Sequence, residues 1–321
     1  MSQAMFAAAD LGIADFLAEG PKNAHQLALA SGCAAHSLQR LLRALASIDF
    51  FIERDDGSFE LTPTGAMLRR DAPNSMHSYA VWWGRYRWPV WGNLLDSVKT
   101  GQVAGTLTGS PVGMKQLHED AEAAKVFHQA MADLTRVVAR GVVRAYDFSG
   151  IKRIVDVGGG YGELLATILA AYPALRGVLF DLPHATEGAR GHLEQAGVID
   201  RCDIVAGDFF ESVPSEGDAY LLKTVIHDWD DEHGCLILRN CRTAAGHGAR
   251  LLLVEQIMPE RLEPSVQHQR VAVRDLNMLV MLGGRERTAR EFASIIEATG
   301  FRLTKTVTAA LDFSVIEAVV A

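Results

Sequence analysis

The sequence has 321 residues, enough for one large or two ordinary domains. Hydrophobic residues make up 49% of it and charged residues 22%, the balance of a globular chain with a sizeable core. A net charge of −8 without a long basic run speaks against a general nucleic-acid or anionic-membrane partner. The four cysteines, Cys33, Cys202, Cys235 and Cys241, form no C-x-x-C pair and read as small buried hydrophobes of a reducing compartment. Asp10 and Asp15 interrupt the apolar N-terminal stretch, so neither a signal peptide nor a spanning helix is expected and the location reads as cytoplasmic.

Residues 1–75 read as a small helical unit. Asn23 caps a helix through Ala30, Gly32 makes a turn, and Ser37 to Phe51 form a second helix with Leu38, Leu41, Leu42, Leu45 and Ile48 at helical spacing. The runs Phe51–Arg54 and Ser58–Leu61, joined by Asp55-Asp56-Gly57, read as a hairpin. Together they make a winged-helix pattern, which raises DNA binding. The charges argue against it. Lys22, Arg40, Arg43, Arg54, Arg69 and Arg70 face Asp10, Asp15, Glu19, Asp49, Glu53, Asp55, Asp56, Glu60 and Asp71, six against nine, or −3. Such a module gains little from counterion release at phosphates, so a structural or dimerisation role is expected.

Residues 76–145 read as a helical bridge carrying Tyr79, Trp82, Trp83, Tyr86, Trp88 and Trp91. The cluster reads as a core between domains or subunits, compatible with the wall of a pocket for a flat aromatic ligand. Gly101 to Gly113 reads as a mobile loop. Glu119 to Tyr146 reads as a long helix that carries Phe127, His128 and Met131 towards the same place.

From Ser149 strands and helices alternate, as in a doubly wound parallel sheet. Strands are expected at Arg153–Val157, Arg176–Asp181, Cys202–Ala206, Ala219–Val225 and Ala249–Glu255, with Phe301–Val307 and Phe313–Val320 closing the sheet. The first ends in Asp156-Val-Gly-Gly-Gly-Tyr-Gly162, which opens into a helix from Glu163 to Tyr172. The glycines at 158, 160 and 162 allow a sharp turn and close approach to a ligand. Their spacing departs from the dinucleotide fingerprint, and no Lys-Ser/Thr pair marks a phosphate loop.

Ligands of open α/β sheets bind beyond the carboxyl ends of the strands. Those ends bring Asp156, Asp181, Asp208, His227 and Glu255 to one edge, none of them Lys or Arg. A row of carboxylates repels phosphate but suits ribose hydroxyls and net positive charge, with Asp181 placed to accept from the ribose. S-adenosylmethionine has a ribose, an amine, a sulfonium and no phosphate. Asp228, Asp230 and Asp231 lie together, but their place at a helix start suits capping better than a metal cage, and no metal is expected.

These residues resemble the S-adenosylmethionine-dependent O-methyltransferases of the caffeate, hydroxyindole and bacterial natural-product type. The likeness runs from Ala4 to the C-terminus through Asp156–Gly162, Phe180-Asp-Leu-Pro-His184, Gly207-Asp-Phe-Phe210, Leu222–Asp231, Leu253-Val-Glu255 and Gly283-Gly-Arg-Glu-Arg-Thr288. The resemblance implies an α/β, Rossmann-like methyltransferase sheet with a mostly helical winged-helix N-terminal domain. It implies a homodimer, a dimerisation domain and aromatic bridge at 1–100, pocket-lining linker helices at 101–148, and a cofactor domain at 149–321. Members of the family usually carry a further helix, which helps to clasp the partner subunit, before the segment matching Ser2–Ala4.

The resemblance further implies that Gly158 and Gly160 face the methionine part of the cofactor, and Asp156 and Leu182 are also expected to bind the cofactor. Asp181 would hold the ribose, Asp208 and Phe209 the adenine, and Lys223 would line the same pocket. His227 would be the base, with Glu255 and Glu286 orienting its imidazole. Trp229, Asn277, Met278, Met281, Phe127 and Met131 would line the acceptor pocket, and S-adenosylhomocysteine would be the product. The expected activity is methyl transfer to a hydroxyl of a small aromatic, phenolic or polyketide-like acceptor. Alternatives are decarboxylation or hydroxylation on the same scaffold, against which His227, Glu255 and Glu286 argue, and a winged-helix regulator sensing the cofactor, which would need a basic recognition helix that Ser37–Phe51 lacks.

Overall fold

The computed structural model describes residues 1–321, which divide into two compact units. The first comprises Met1–Pro89 with Lys125–Leu134, the second Val90–Ala124 with Thr135–Ala321.

In the first unit Asn23 and Gln26 form a reciprocal capping box, at 3.0 and 2.9 Å, that starts the helix Ala24–Ser31. The next helix spans Ala35–Ala46 and buries Leu38, Leu42 and Leu45 against Leu27. The expected Ser37–Phe51 helix is therefore shifted. It stops at Ala46, Asp49 takes a left-handed φ of 62°, and Ile48 is left exposed. Strands β1 (Lys22–Asn23), β2 (Phe51–Glu53) and β3 (Ser58–Leu61) pair antiparallel in the order β1-β3-β2. Asp56 Oδ1 accepts from Ser58 N and Oγ at the turn between β2 and β3. Farther along, a π-helical segment, Trp82–Arg87, buries Trp82 against Tyr86 and Phe127, at ring distances of 4.9 and 5.1 Å.

The second unit is built on seven strands: β4 (Arg153–Val157), β5 (Arg176–Asp181), β6 (Cys202–Ala206), β7 (Ala219–Lys223), β8 (Arg250–Gln256), β9 (Phe301–Thr308) and β10 (Phe313–Val320). Their order is β6-β5-β4-β7-β8-β10-β9. The first five run parallel, and β10 is antiparallel to both neighbours. Apolar side chains cover both faces: Leu165, Ile168 and Leu169 pack on one side, Ile237, Leu238, Ile295 and Ile296 on the other. The chain leaves β4 towards β5 and β6, then returns to β7 on the opposite flank. This reversal makes the carboxyl ends of β4 and β7 the topological switch point.

Several other boundaries differ from the sequence reading, β8 and β9 by a residue. The 101–113 segment contains a helix, Ala104–Thr108. The strand expected at Ala219–Val225 ends at Lys223, where Thr224 turns the chain with φ 53°. The long helix runs Ala121–Ala145, started by Asp120 Oδ1 accepting from Ala123 N at 2.9 Å. No helix is long and apolar enough to cross a membrane.

Candidate active site

At the switch point the glycine turn folds back on β4. A Cβ at Gly159 would lie 2.4 Å from Leu179 Cδ1 and 2.7 Å from Asp156 Oδ2, so only glycine fits there. Gly160 N donates to Asp181 Oδ2 and Leu182 N to Asp181 Oδ1, both at 2.7 Å. Asp181 thus shapes the loop with one lone pair on each oxygen and keeps others for a ligand. Burial raises its carboxyl to about 6 despite these donors. Asp156 is 2% exposed and accepts no hydrogen bond; burial, then the charge of Asp181, raises it to about 7 against the pull of Lys223. Two buried, under-compensated carboxylates create a demand for a cation or for hydrogen-bond donors.

Asp208 Oδ1 accepts from Phe210 N at 2.8 Å, and Asn240 Nδ2 donates to the carbonyls of Phe209 and Phe210 at 2.8 and 2.9 Å. Trp229, expected in the acceptor pocket, packs edge-on to Phe210 at 4.7 Å and to Phe209 at 6.2 Å. The structure therefore groups it with the Asp208–Phe210 turn. Lys223, expected to line the cofactor pocket, ends β7. Burial, then the nearby Arg274 charge, lowers its ammonium to about 8.

His227 lies in a short 3-10 turn, Ile226–Asp228, and is 4% exposed. Its Nδ1 lies 2.7 Å from Glu286 Oε1 and its Nε2 3.2 Å from Asp228 Oδ1. Burial disfavours the imidazolium and Arg274 opposes it, yet Glu286, Asp228 and Glu255 prevail and raise the ring to about 10. Arg274 Nε sits 2.8 Å from the same Glu286 oxygen that holds Nδ1. Burial works to raise the Glu286 carboxyl, but His227 and Arg274 together hold it below the usual range.

Glu255 differs from the expectation that it orients the imidazole. Its Oε1 accepts from Val225 N and Ile226 N, at 3.2 and 3.1 Å, so it anchors the backbone leading into His227. Its other oxygen is buried without a partner, and burial raises the carboxyl. His227, Glu255 and Glu286 offer ligand atoms within 4.8 Å of one another, an arrangement that could hold a metal. The guanidinium of Arg274 on Glu286 already supplies positive charge there. The Asp228, Asp230 and Asp231 group is dispersed in role: Asp228 faces His227, Asp230 caps its helix through His233 N, and Asp231 pairs with Arg285 and Arg287.

Asn277, Met278 and Met281 lie buried on the helix Val266–Met281, where Asn277 Oδ1 accepts from Trp91 Nε1 at 3.0 Å. Phe127 and Met131 belong to the first unit, where Phe127 packs on Trp82. The aromatic cluster does not act as one group: Trp82 is core, Trp88 is 56% exposed, and Trp91 bonds Asn277. Sequence reasoning missed Arg274, Asn240 and Arg287. Fully buried Arg287 donates to the carbonyls of Ile226 and Trp229, both at 2.8 Å, and clamps the His227 turn. Only Arg287 carried a signal, its place in Gly283–Thr288.

Residues 91–302 match the O-methyltransferase domain, and residues 1–71 match the O-methyltransferase dimerisation domain. The chain belongs to the S-adenosylmethionine-dependent O-methyltransferase family. This methyltransferase is 43% identical to the phenazine O-methyltransferase of Lysobacter antibioticus, across 99% of this chain and 92% of that one. It superposes on the crystal structure of LaPhzM with a TM-score of 0.94 at 43% identity, covering 100% of this chain and 95% of that one. The O-methyltransferase of neocarzinostatin biosynthesis, solved with S-adenosylmethionine and 2-hydroxy-5-methyl naphthoic acid, is 30% identical with a TM-score of 0.82, covering 100% and 96%.

Proposed function

We propose that this methyltransferase transfers a methyl group from S-adenosylmethionine to a hydroxyl of a small aromatic natural-product acceptor, with His227 taking the hydroxyl proton. The carrying observation is the His227–Glu286 pair at 2.7 Å beside the switch point. Asp156 and Asp181 fit the cofactor because both are buried carboxylates short of compensating charge. When bound, S-adenosylmethionine would supply a methyl already activated on a sulfonium, and among the protein's own groups it is Arg274 that disfavours the imidazolium. The protein must then align the acceptor oxygen and remove its proton. Glu286 fixes Nδ1 as the protonated nitrogen, and Nε2 accepts the proton once Asp228 yields its place to the hydroxyl.

The match to a dimerisation domain supports a homodimer, and the four free cysteines support a reducing, cytoplasmic setting. The family supports methyl transfer over decarboxylation, hydroxylation or regulation. Incubation with methyl-labelled cofactor and a panel of phenols, naphthols and hydroxyphenazines, read by mass spectrometry, tests the reading. Labelled methyl ethers are expected, undiminished by excess EDTA. Turnover of the cofactor without any methylated product, or activity that vanishes on chelation and returns with magnesium, contradicts it.

A further inference from the structure

Two histidines that take no part in the base meet within the second unit. His118 lies in the last turn of the helix Met114–Glu119, and His184 is the second residue of the helix Pro183–Gln195, two positions after Leu182. Their ring centroids are 5.1 Å apart and the planes are tilted by 60°, so the imidazoles are not stacked. In a tetrahedral site with metal–nitrogen bonds of about 2.0–2.1 Å, two imidazole centroids also fall about 5 Å apart. The tautomer of His118 fits as well. Its Nδ1 lies 3.1 Å from the Met114 carbonyl oxygen, which only accepts, so Nδ1 carries the proton and Nε2 the lone pair. A backbone carbonyl on the second ring nitrogen is what orients ligating histidines. Burial, then the charge of His118, lowers the His184 pKa and keeps that ring in the neutral form that ligates. Glu187, exposed and one helical turn beyond His184, lies near enough for its charge to act on the same ring. At the other end, a Cβ on Gly113 would lie 2.6 Å from Leu282 Cδ2 and 3.0 Å from the Met281 carbonyl oxygen. The chain entering Met114–Glu119 therefore presses on the end of the helix Val266–Met281, and the short helix bridges from there to the helix that follows Asp181.

We propose that His118, His184 and Glu187 bind a divalent transition-metal ion of the zinc type. The ion clips the helix Met114–Glu119 to the start of the helix Pro183–Gln195 and slows exchange of the cofactor and its product. Two imidazoles and one carboxylate suit zinc rather than magnesium or calcium, which prefer all-oxygen sites. The ion takes no part in methyl transfer, so stripping it with EDTA costs no activity.

The test begins with calorimetric titration of the full chain with Zn²⁺. The wild-type protein is expected to bind the ion at least about tenfold more tightly than H118A does, and E187Q should weaken it too. His118 is exposed, so H118A is expected to fold and, without zinc, to turn over as the wild type does. The second measurement is the rate at which labelled S-adenosylhomocysteine leaves when chased with unlabelled compound. Zn²⁺ should slow that release severalfold in the wild type and leave it unchanged in H118A. Zinc held as tightly by H118A as by the wild type places the ion elsewhere, for instance at His227, Glu255 and Glu286, and overturns the inference. Zinc affinity indifferent to E187Q removes the carboxylate from the site and overturns it as well. So does a wild-type release rate that zinc leaves unchanged.

Discussion

The imidazolium of His227 is favoured from two sides, by Glu286 at Nδ1 and Asp228 at Nε2, and a ring protonated at both nitrogens cannot take the acceptor's proton. Arg274 is the residue that works against this. It shares the Glu286 oxygen at 2.8 Å and so weakens the carboxylate's hold on the imidazolium. The sign of its removal follows directly. Without that positive charge the imidazolium is favoured, the histidine pKa rises, and less neutral base is present at a given pH. R274Q should therefore slow methyl transfer near neutrality, with its rate climbing to meet that of the wild-type enzyme as pH rises. A pH profile of kcat/KM measures the displacement. A variant slowed equally at every pH would assign Arg274 to packing alone.

The elements around His227 leave its turn little freedom. Glu255 at the end of β8 holds the turn's incoming N–H groups, Arg287 holds its outgoing carbonyls, and Gly284 lies against it. A Cβ on Gly284 would come within 2.1 Å of the His227 carbonyl, and Arg285 N donates to the same oxygen at 2.9 Å. G284A should cost about 1–3 kcal/mol, as overpacking does, and push the imidazole out of line. Turnover should then fall further than S-adenosylhomocysteine affinity, measured by denaturant unfolding, steady-state rates and calorimetry. Wild-type turnover in G284A would mean that the turn adjusts freely. The strands were legible because each is a short apolar run bounded by glycine or charge, and β4, β5, β6 and β10 fall where the residues put them. The helix ending at Ala46 was not, because apolar spacing continues through Ile48 to Phe51 while Asp49 reverses the backbone. Nor was the anchoring role of Glu255, which depends on how the chain leaves β7.

At the scale of the molecule, sequence legibility follows the motifs. Residues 91–302 and 1–71 match two domains of one family, and the strand-end carboxylates already indicated a cationic, phosphate-free cofactor. Arg274 and Trp91 lie in helices outside those motifs, and only the fold brings them to Glu286 and Asn277. The division of labour is also one of structure: every residue assigned here to the cofactor or the proton belongs to the second unit, whereas Phe127 and Met131 belong to the first. The central claim joins a cofactor cradle of carboxylates to a histidine that removes the acceptor proton. H227A separates the two functions. Single-turnover methyl transfer to a phenolic acceptor, measured beside S-adenosylhomocysteine affinity on the same preparation, should fall by about 10²–10⁴-fold while the affinity stays within a few fold of wild type. Methyl transfer by H227A at the wild-type rate would contradict the account.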